Sequence, residues 1–228
     1  MVTKEREMTR DKERTKQRIL DGLAGLLAEK GPRGVGINAL AKAAGVDKVL
    51  IYRYFGGLPE LVRVFAEQGG FWPSYEELAG KETGSLTREG IEAFAKSVLT
   101  GHLRELRKRP LTQEIMRWEL LEKNELTDEL ARARENQTGR FLELFGLSGE
   151  EERVRDMLAA ATVIHAGLTY LVLRAKTAPV YMGVELDSET GWQRLERAAQ
   201  ELVEAYFRLA QADSEKDKEK EDGPEKHS

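Results

Sequence analysis

Residues 37–55 (INALAKAAGVDKVLIYRYF) contain five side chains whose chemistry suits contact with double-stranded DNA. They are Asn38, Lys48, Val49, Tyr52 and Tyr54. A lysine can donate to the acceptors of guanine, and a valine can contact the methyl group of thymine. A phenol hydroxyl or an asparagine amide can donate to phosphate oxygens, and the amide can also reach a base. On their chemistry alone these five residues are candidates for contact with DNA.

Each predicted contact also has a role that does not involve DNA. Lys48 and Val49 can be ordinary surface residues, and Asn38 can bond locally at the start of a helix. The rings of Tyr52 and Tyr54 can pack on a helix bundle while their hydroxyls reach outwards, so these two roles are compatible. The elements that position these side chains decide between the roles.

The same stretch has the signals of two short helices joined by a tight turn. Gly45 can adopt a positive φ and so turn the chain sharply, and Asp47 is a good N-cap for a second helix. The small side chain of Ala41 lets the two helix axes cross closely. The pattern predicts a helix-turn-helix with helices at Ile37–Ala44 and about Lys48–Tyr54.

The segment from Ile19 to Phe65 resembles the DNA-binding domain of the TetR family of transcription regulators. The resemblance is carried by LA at 40–41, AAGV at 43–46 and IYRYF at 51–55. It implies a three-helix DNA-binding head, in which Tyr52 and Tyr54 face the DNA, and a fourth helix that leads to a ligand-binding and dimerising helical body. It also implies a homodimeric regulator, typically a repressor, which a small-molecule effector releases from a palindromic operator.

Three positions depart from the family pattern. Gly36 stands where the family usually has Thr or Ser, Leu50 where it has a small or hydroxyl residue, and Leu58 where it often has Lys. Two customary phosphate contacts are therefore missing. Lys42, Arg33 or the basic N-terminal arm can replace them, because phosphate attraction needs charge within reach rather than one exact position.

The remainder of the chain is predicted to be helical, so the expected fold class is all-α. The architecture is an N-terminal helix-turn-helix bundle followed by a C-terminal helical ligand-binding and dimerisation domain. No segment of useful length alternates with period two, so no sheet is expected. The predicted divisions are a flexible charged arm at 1–14, the DNA-binding domain at 15–66, the body at 67–212 and a disordered acidic tail at 213–228.

One helix of the body, containing Met157–Leu173, is predicted to be apolar on every side. This uncharged run has 17 residues, which is short of the roughly 20 needed to span a bilayer, so a membrane segment is not expected. A helix that is apolar on every side must be buried on every side, which is expected of a helix that lines a pocket and also contacts a second subunit. The alternative is an ordinary central helix in a monomer.

Six residues of the body are candidate contacts for an effector. They are Trp72, Phe94, Met116, Trp118, His165 and Tyr170. Aromatic and methionine side chains can line an apolar cavity, and His165 adds one ionisable group to an uncharged helix. The alternative is that the aromatic residues form core and that a neighbouring group satisfies the histidine.

Charge is distributed unevenly along the chain. Residues 1–66 carry 13 Lys and Arg against 8 Asp and Glu, whereas the remaining residues carry 23 against 32. A basic head on an acidic body suits the binding of a polyanion by the head. The alternative function is a helical adaptor that binds proteins and does not read DNA.

The composition argues against enzyme, metal and cofactor chemistry. Cysteine is absent, and the three histidines are not spaced as helical metal ligands. No Walker loop or G-x-S-x-G elbow occurs, and the glycines at 31–36 lack the preceding strand of a dinucleotide site. The charged N-terminus does not resemble a signal peptide. We therefore expect a non-enzymatic, cytoplasmic protein without metal or cofactor.

Overall fold

The chain is helical over most of the residues that the structure describes. The computed structural model describes residues 2–67, 72–80, 87–144 and 151–221. The helices are α1 (Val2–Lys30), α2 (Ile37–Ala44), α3 (Lys48–Phe55), α4 (Leu58–Glu67), α5 (Tyr75–Ala79), α6 (Arg88–Arg107), α7 (Pro110–Leu121), α8 (Glu125–Leu144), α9 (Glu152–Ala175) and α10 (Glu189–Glu221). A 3₁₀ turn at Pro32–Gly34 follows α1. The predicted all-α class is confirmed.

A short antiparallel hairpin corrects the expectation that no sheet is present. It pairs β1 (Val180–Tyr181) with β2 (Val184–Glu185) between α9 and α10. Met182 and Gly183 form its turn with φ values of 49° and 82°. Strands of two residues are too short to show an alternating apolar pattern, so the sequence carried no strand signal.

The chain divides into two compact units. One contains Met1–Ser74 and Leu106–Arg140, and the other contains Tyr75–Glu105 and Phe141–Ser228. α7 and most of α8, which fall within the body predicted at 67–212, cluster with the N-terminal helices. The ring of Trp118 on α7 packs directly against the backbone of Gly31 at the end of α1.

Both ends of the chain are more helical than expected. α1 begins at Val2, inside the arm expected to be flexible at 1–14. α10 extends to Glu221, inside the tail expected to be disordered at 213–228. Both segments alternate in charge, and opposite charges three or four residues apart pair on a helix surface and favour the helix.

The helices of the N-terminal unit share an apolar core. Ile19, Leu23 and Leu27 recur every four residues along α1 and are fully buried. The fully buried side chains of α2, α3 and α4 include Leu40, Ile51 and Leu61, respectively. Each such side chain contributes about 1.5–3 kcal/mol relative to an exposed one. This core holds the helix-turn-helix in a fixed orientation on α1.

In the second unit, α6, α9 and α10 bury apolar residues and are joined by ion pairs. The buried residues include Leu103, Leu168 and Val203. Nζ of Lys96 lies 2.6 Å from Oε1 of Glu204, and Nε of Arg104 lies 2.7 Å from Oε1 of Glu196. Burial lowers the pKa of Lys96, but its hydrogen bonds to Glu204 and Glu92 outweigh burial, so the pKa is raised. These pairs fix α10 on α6.

Candidate nucleic-acid interface

The turn between α2 and α3 has the geometry that the sequence predicts. Gly45 adopts a left-handed conformation with φ of 62°. The amide of Val46 donates to the carbonyl of Ala41 at 3.0 Å. Asp47 caps α3, because its side chain accepts from the amide of Val49 at 2.8 Å. The predicted roles of Gly45 and Asp47 are confirmed.

α3 has one buried and one exposed face. Ile51 and Phe55, four residues apart, are buried against the core of the head. Lys48 is exposed in the first turn of the helix, and Val49 and Tyr52 beside it are 61% and 53% exposed. A short helix with such an exposed edge fits the dimensions of the DNA major groove.

The two other predicted contacts lie at the margin of this edge. Tyr54 is half-buried, and Nζ of Lys12 lies 6.0 Å from the centroid of its ring. This distance is at the outer limit of a cation–π attraction, and it places the first half of α1 beside the end of α3. Asn38 is exposed in the first turn of α2.

The departures from the family pattern change which groups are available for phosphate. Gly36 precedes α2 without a side-chain cap, and Leu58 is the half-buried first residue of α4. Nε of Arg33 lies 2.7 Å from Oε1 of Glu122, so the charge of this arginine is already paired. Lys42 is exposed in the last turn of α2.

The six residues predicted to contact an effector are divided between the two compact units. Trp72, Met116 and Trp118 belong to the first unit, whereas Phe94, His165 and Tyr170 belong to the second. Trp72 and Met116 are buried, and Tyr170 is 48% exposed. The effector role of all six residues stays a prediction.

The ring of His165 lies against that of a second histidine, His102, which is distant in sequence. The ring centroids of His102 on α6 and His165 on α9 are 4.0 Å apart. His102 is buried, and its Nε2 lies 2.9 Å from Oγ1 of Thr169. Two imidazoles and a hydroxyl thus form a polar cluster between α6 and α9. No sequence spacing reveals the cluster, since its members lie on different helices.

Glu119 on α7 belongs to a polar cluster of the first unit that the sequence also did not reveal. Its Oε2 lies 2.5 Å from Nη1 of Arg134, while its Oε1 is buried without a hydrogen-bond partner among the described atoms. Burial raises the pKa of Glu119, and the guanidinium of Arg134 opposes that shift. The same guanidinium lies 5.4 Å from the centroid of the Trp72 ring.

α9 and α10 expose uncharged faces. The exposed face of α9 recurs at intervals of three and four residues and comprises Ala159, Thr162, Val163, Ala166, Gly167 and Tyr170. α10 packs against α9 and exposes Ala198, Leu202 and Leu209. Within α9, an 18-residue window is long and apolar enough to cross a membrane by length and composition, and 17% of it is buried. A contiguous exposed apolar face of this kind marks an interaction surface.

The N-terminal segment matches a known family of DNA-binding proteins. The family model described as bacterial regulatory proteins of the tetR family matches residues 19–65, which include the second half of α1 and most of α4. No curated protein matches the chain significantly in sequence.

Several solved structures have a similar fold. The fatty acid degradation regulator FadR from Bacillus halodurans is 18% identical, with a TM-score of 0.54 over 83% of this chain and 94% of that chain. A TetR-family transcriptional regulator from Rhodococcus sp. is 20% identical, with a TM-score of 0.54 over 83% of this chain and 98% of that chain. A TetR-like regulator from Rhodococcus sp. RHA1 is 16% identical, with a TM-score of 0.52 over 86% and 96% of the two chains. At these identities the similarity establishes the fold.

Proposed function

Because the chain is a TetR-family DNA-binding regulator, not an enzyme, we propose that it represses transcription by binding a palindromic operator as a homodimer. A small-molecule effector that binds the helical body releases the repressor from the operator. The protein acts in the cytoplasm, where operator and effector are both present.

The exposed edge of α3 is the observation that carries the proposal of DNA recognition. Lys48, Val49 and Tyr52 are exposed side by side towards the N-terminal end of α3, whereas Ile51 and Phe55 of the same helix are buried. Because the buried pair fixes the rotation of the helix, the three exposed side chains are presented in one direction. The side chains of Lys48 and Val49 are suited to contact base edges, and the hydroxyl of Tyr52 is suited to donate to a phosphate.

The first half of α1 supports the phosphate contacts of the proposed interface. Lys12 lies over the ring of Tyr54, and Arg10 and Arg14 are exposed on the same helix. Phosphate attraction needs positive charge within reach of the backbone. In our proposal these cations replace the lysine that the family often has at the position of Leu58.

The exposed face of α9 supports a homodimer. Its opposite side is already covered by protein, since Thr169 bonds to His102 of α6 and Leu168 is buried. A second copy that covers Val163 of α9 and Leu202 of α10 removes two exposed apolar side chains per subunit from water. A two-fold dimer buries the same face of both subunits.

Two-fold symmetry sets the form of the operator. A symmetric dimer presents two copies of α3, so the operator needs two similar half-sites. Their centres are expected to lie about one DNA turn, roughly 34–36 Å, apart or slightly more.

The histidine cluster of the second unit supports an effector contact at His165. Two imidazoles and the hydroxyl of Thr169 offer polar contacts next to the buried apolar residues Leu103 and Leu168, and small-molecule sites combine groups of both kinds. Phe94 and Tyr170 of the same unit are the predicted apolar contacts.

DNA binding by the full-length protein tests the proposed function. Operator sequences are selected from a random duplex pool and the affinity is then measured at several salt concentrations. Lys48→Ala and Tyr52→Ala are each expected to weaken binding to the selected duplex by about 1–3 kcal/mol, with circular dichroism unchanged. Lys123→Ala, an exposed lysine between α7 and α8, is the control and is expected to bind like the parent.

Two results contradict the proposal in different ways. If the parent protein selects no sequence and does not bind duplex DNA at low salt, the protein does not read DNA. If the parent selects an operator and both α3 variants bind it with parental affinity, another surface recognises the DNA.

A further inference from the structure

Arg18 of α1 reaches across to the turn of the helix-turn-helix. Its Nη2 donates to the carbonyl of Ala44 at 2.7 Å and to the carbonyl of Gly45 at 2.8 Å. Ala44 is the last residue of α2, and Gly45 is its C-cap. One guanidinium therefore binds two backbone groups that are 26 and 27 residues away in sequence.

The two carbonyls are acceptors that need a donor. The last carbonyls of an α-helix have no partner within the helix and carry the negative end of its dipole. A hydrogen bond from a charged donor to such a group is shorter and stronger than a neutral one. The contact with Arg18 therefore stabilises the end of α2 in one orientation relative to α1.

The geometry at Gly45 depends on the same contact. A Cβ atom at this position would lie 2.9 Å from Nη2 of Arg18, and the backbone has a φ of 62°. Any other residue would be strained and would also push the guanidinium away from its acceptors. Glycine at position 45 and arginine at position 18 thus form one arrangement.

This arrangement lies next to the start of the recognition helix. The amide of Val46 donates a hydrogen bond to the carbonyl of Ala41, and the next residue, Asp47, caps the N-terminus of α3. Rotation of the end of α2 therefore changes the direction in which α3 begins. Side chains that read bases must be held within about 0.5 Å of their productive positions.

We propose that Arg18 is a positioning residue for DNA recognition. It holds the end of α2 and the turn on α1, and thereby aims α3 at the base edges without contacting DNA itself. This inference rests on the proposed function, because it concerns how the DNA-binding surface is aligned.

The test compares Arg18→Met and Arg18→Lys with the parent in the full-length protein. Methionine keeps an apolar stem and removes every donor, whereas lysine keeps the charge and can reach one carbonyl. We expect Arg18→Met to lower the affinity for the selected operator about tenfold, comparable with the loss of one base contact. Arg18→Lys is expected to recover part of that loss.

Binding to random duplex separates positioning from direct phosphate contact. If Arg18 only positions α3, Arg18→Met binds random duplex DNA with an affinity and a salt dependence close to those of the parent. A phosphate contact would instead reduce the slope of log affinity against log salt by about 0.9 for each phosphate lost. Arg14→Met removes the same charge one helical turn earlier on α1, from a cation that our proposal places at the phosphates. It is the reference for the loss of a phosphate contact and is expected to reduce the salt slope.

Amide hydrogen exchange reports on the turn without DNA. Residues 44–49 are expected to exchange faster in Arg18→Met than in the parent, while the buried segment of α1 around Leu23 is unchanged. If Arg18→Met does not fold, Arg18→Lys decides the test by its operator affinity and its exchange at the same residues.

Three outcomes overturn the inference. The first is an operator affinity of Arg18→Met equal to that of the parent. If Arg18→Met does not fold, the corresponding result is an Arg18→Lys variant with both the operator affinity and the amide exchange of the parent. The second is equal loss of operator and random-duplex affinity with a reduced salt slope, which identifies a phosphate contact. The third is unchanged exchange at residues 44–49. If the parent itself binds no DNA, the proposed function fails, and the exchange result still shows whether Arg18 holds the turn.

Discussion

Trp118 packs against Gly31 so closely that no side chain fits at position 31. Gly31 has a φ of 65°, and a Cβ atom there would lie 2.6 Å from Cε2 of the indole. The indole therefore has a structural role at the end of α1, in addition to the effector contact predicted for it. Glu122, the C-cap residue of α7, pairs with Arg33 just beyond α1.

Gly31→Ala is expected to destabilise the protein by about 1–3 kcal/mol, because alanine is strained at a positive φ. The clash with Trp118 adds to this cost. Gly25→Ala on α1 is the control, since a Cβ atom there has no neighbour within 4 Å and alanine favours the helix by about 0.5–1 kcal/mol. Denaturant unfolding followed by tryptophan fluorescence measures both. Equal free energies of unfolding for the two variants would contradict this packing.

Helix α9 has one face buried in its own unit and another face exposed. Its buried residues Leu168 and Val172 face the core of the second unit, while Val163 is 74% exposed. Leu202 and Leu209 on the neighbouring α10 are 56% and 64% exposed. Exposed apolar residues on two packed helices need cover, and in our proposal a second copy of the chain provides it.

Val163→Asp and Leu202→Asp are each expected to weaken the dimer at least about tenfold, because a charge then replaces an apolar contact and must be desolvated. Sedimentation at a series of protein concentrations measures the dissociation constant. Leu120→Asp is the control, since Leu120 is equally exposed but lies on α7 of the other unit.

A parent protein that sediments as a monomer at all concentrations would refute the homodimer. A parent that floats with lipid vesicles, and loses that property in Val163→Asp, would show instead that the exposed face of α9 binds a membrane.

For the whole molecule, regulation requires that operator and effector favour different states of the dimer. A ligand can shift this equilibrium only by the difference between its affinities for the two states, typically about 1–3 kcal/mol of coupling. In our proposal the effector favours a state in which α4 moves and the spacing of the two DNA-binding heads changes. That spacing no longer matches the half-sites, so the affinity for DNA falls.

Operator DNA is expected to weaken effector binding by the same factor by which the effector weakens operator binding, because coupling is reciprocal. Calorimetric titration with and without the operator, using a ligand found by its effect on thermal unfolding, measures both affinities. His165→Ala is expected to lower the affinity for the ligand while its operator affinity stays parental. Equal ligand affinity with and without DNA would exclude the switch, even for a ligand that binds tightly.

Local chemistry made the helix-turn-helix predictable. Gly45 and Asp47 act on the backbone within one or two residues, so their effect can be deduced from the order of residues alone. The burial of Ile51 and Phe55 follows from their spacing of four on α3. The exposed edge of α3 is formed by residues outside that buried pair, so the fold of the head could be predicted without coordinates.

The remaining features depend on partners that are distant in sequence. Arg18 finds its acceptors 26 and 27 residues away, and His102 meets His165 on another helix. The periodicity of Met157–Leu173 indicated a helix that is apolar on every side, but not which side the rest of the chain leaves uncovered. Which distant groups meet, and which apolar face remains exposed, depends on how all the helices pack, because side-chain contacts act through space and not along the chain.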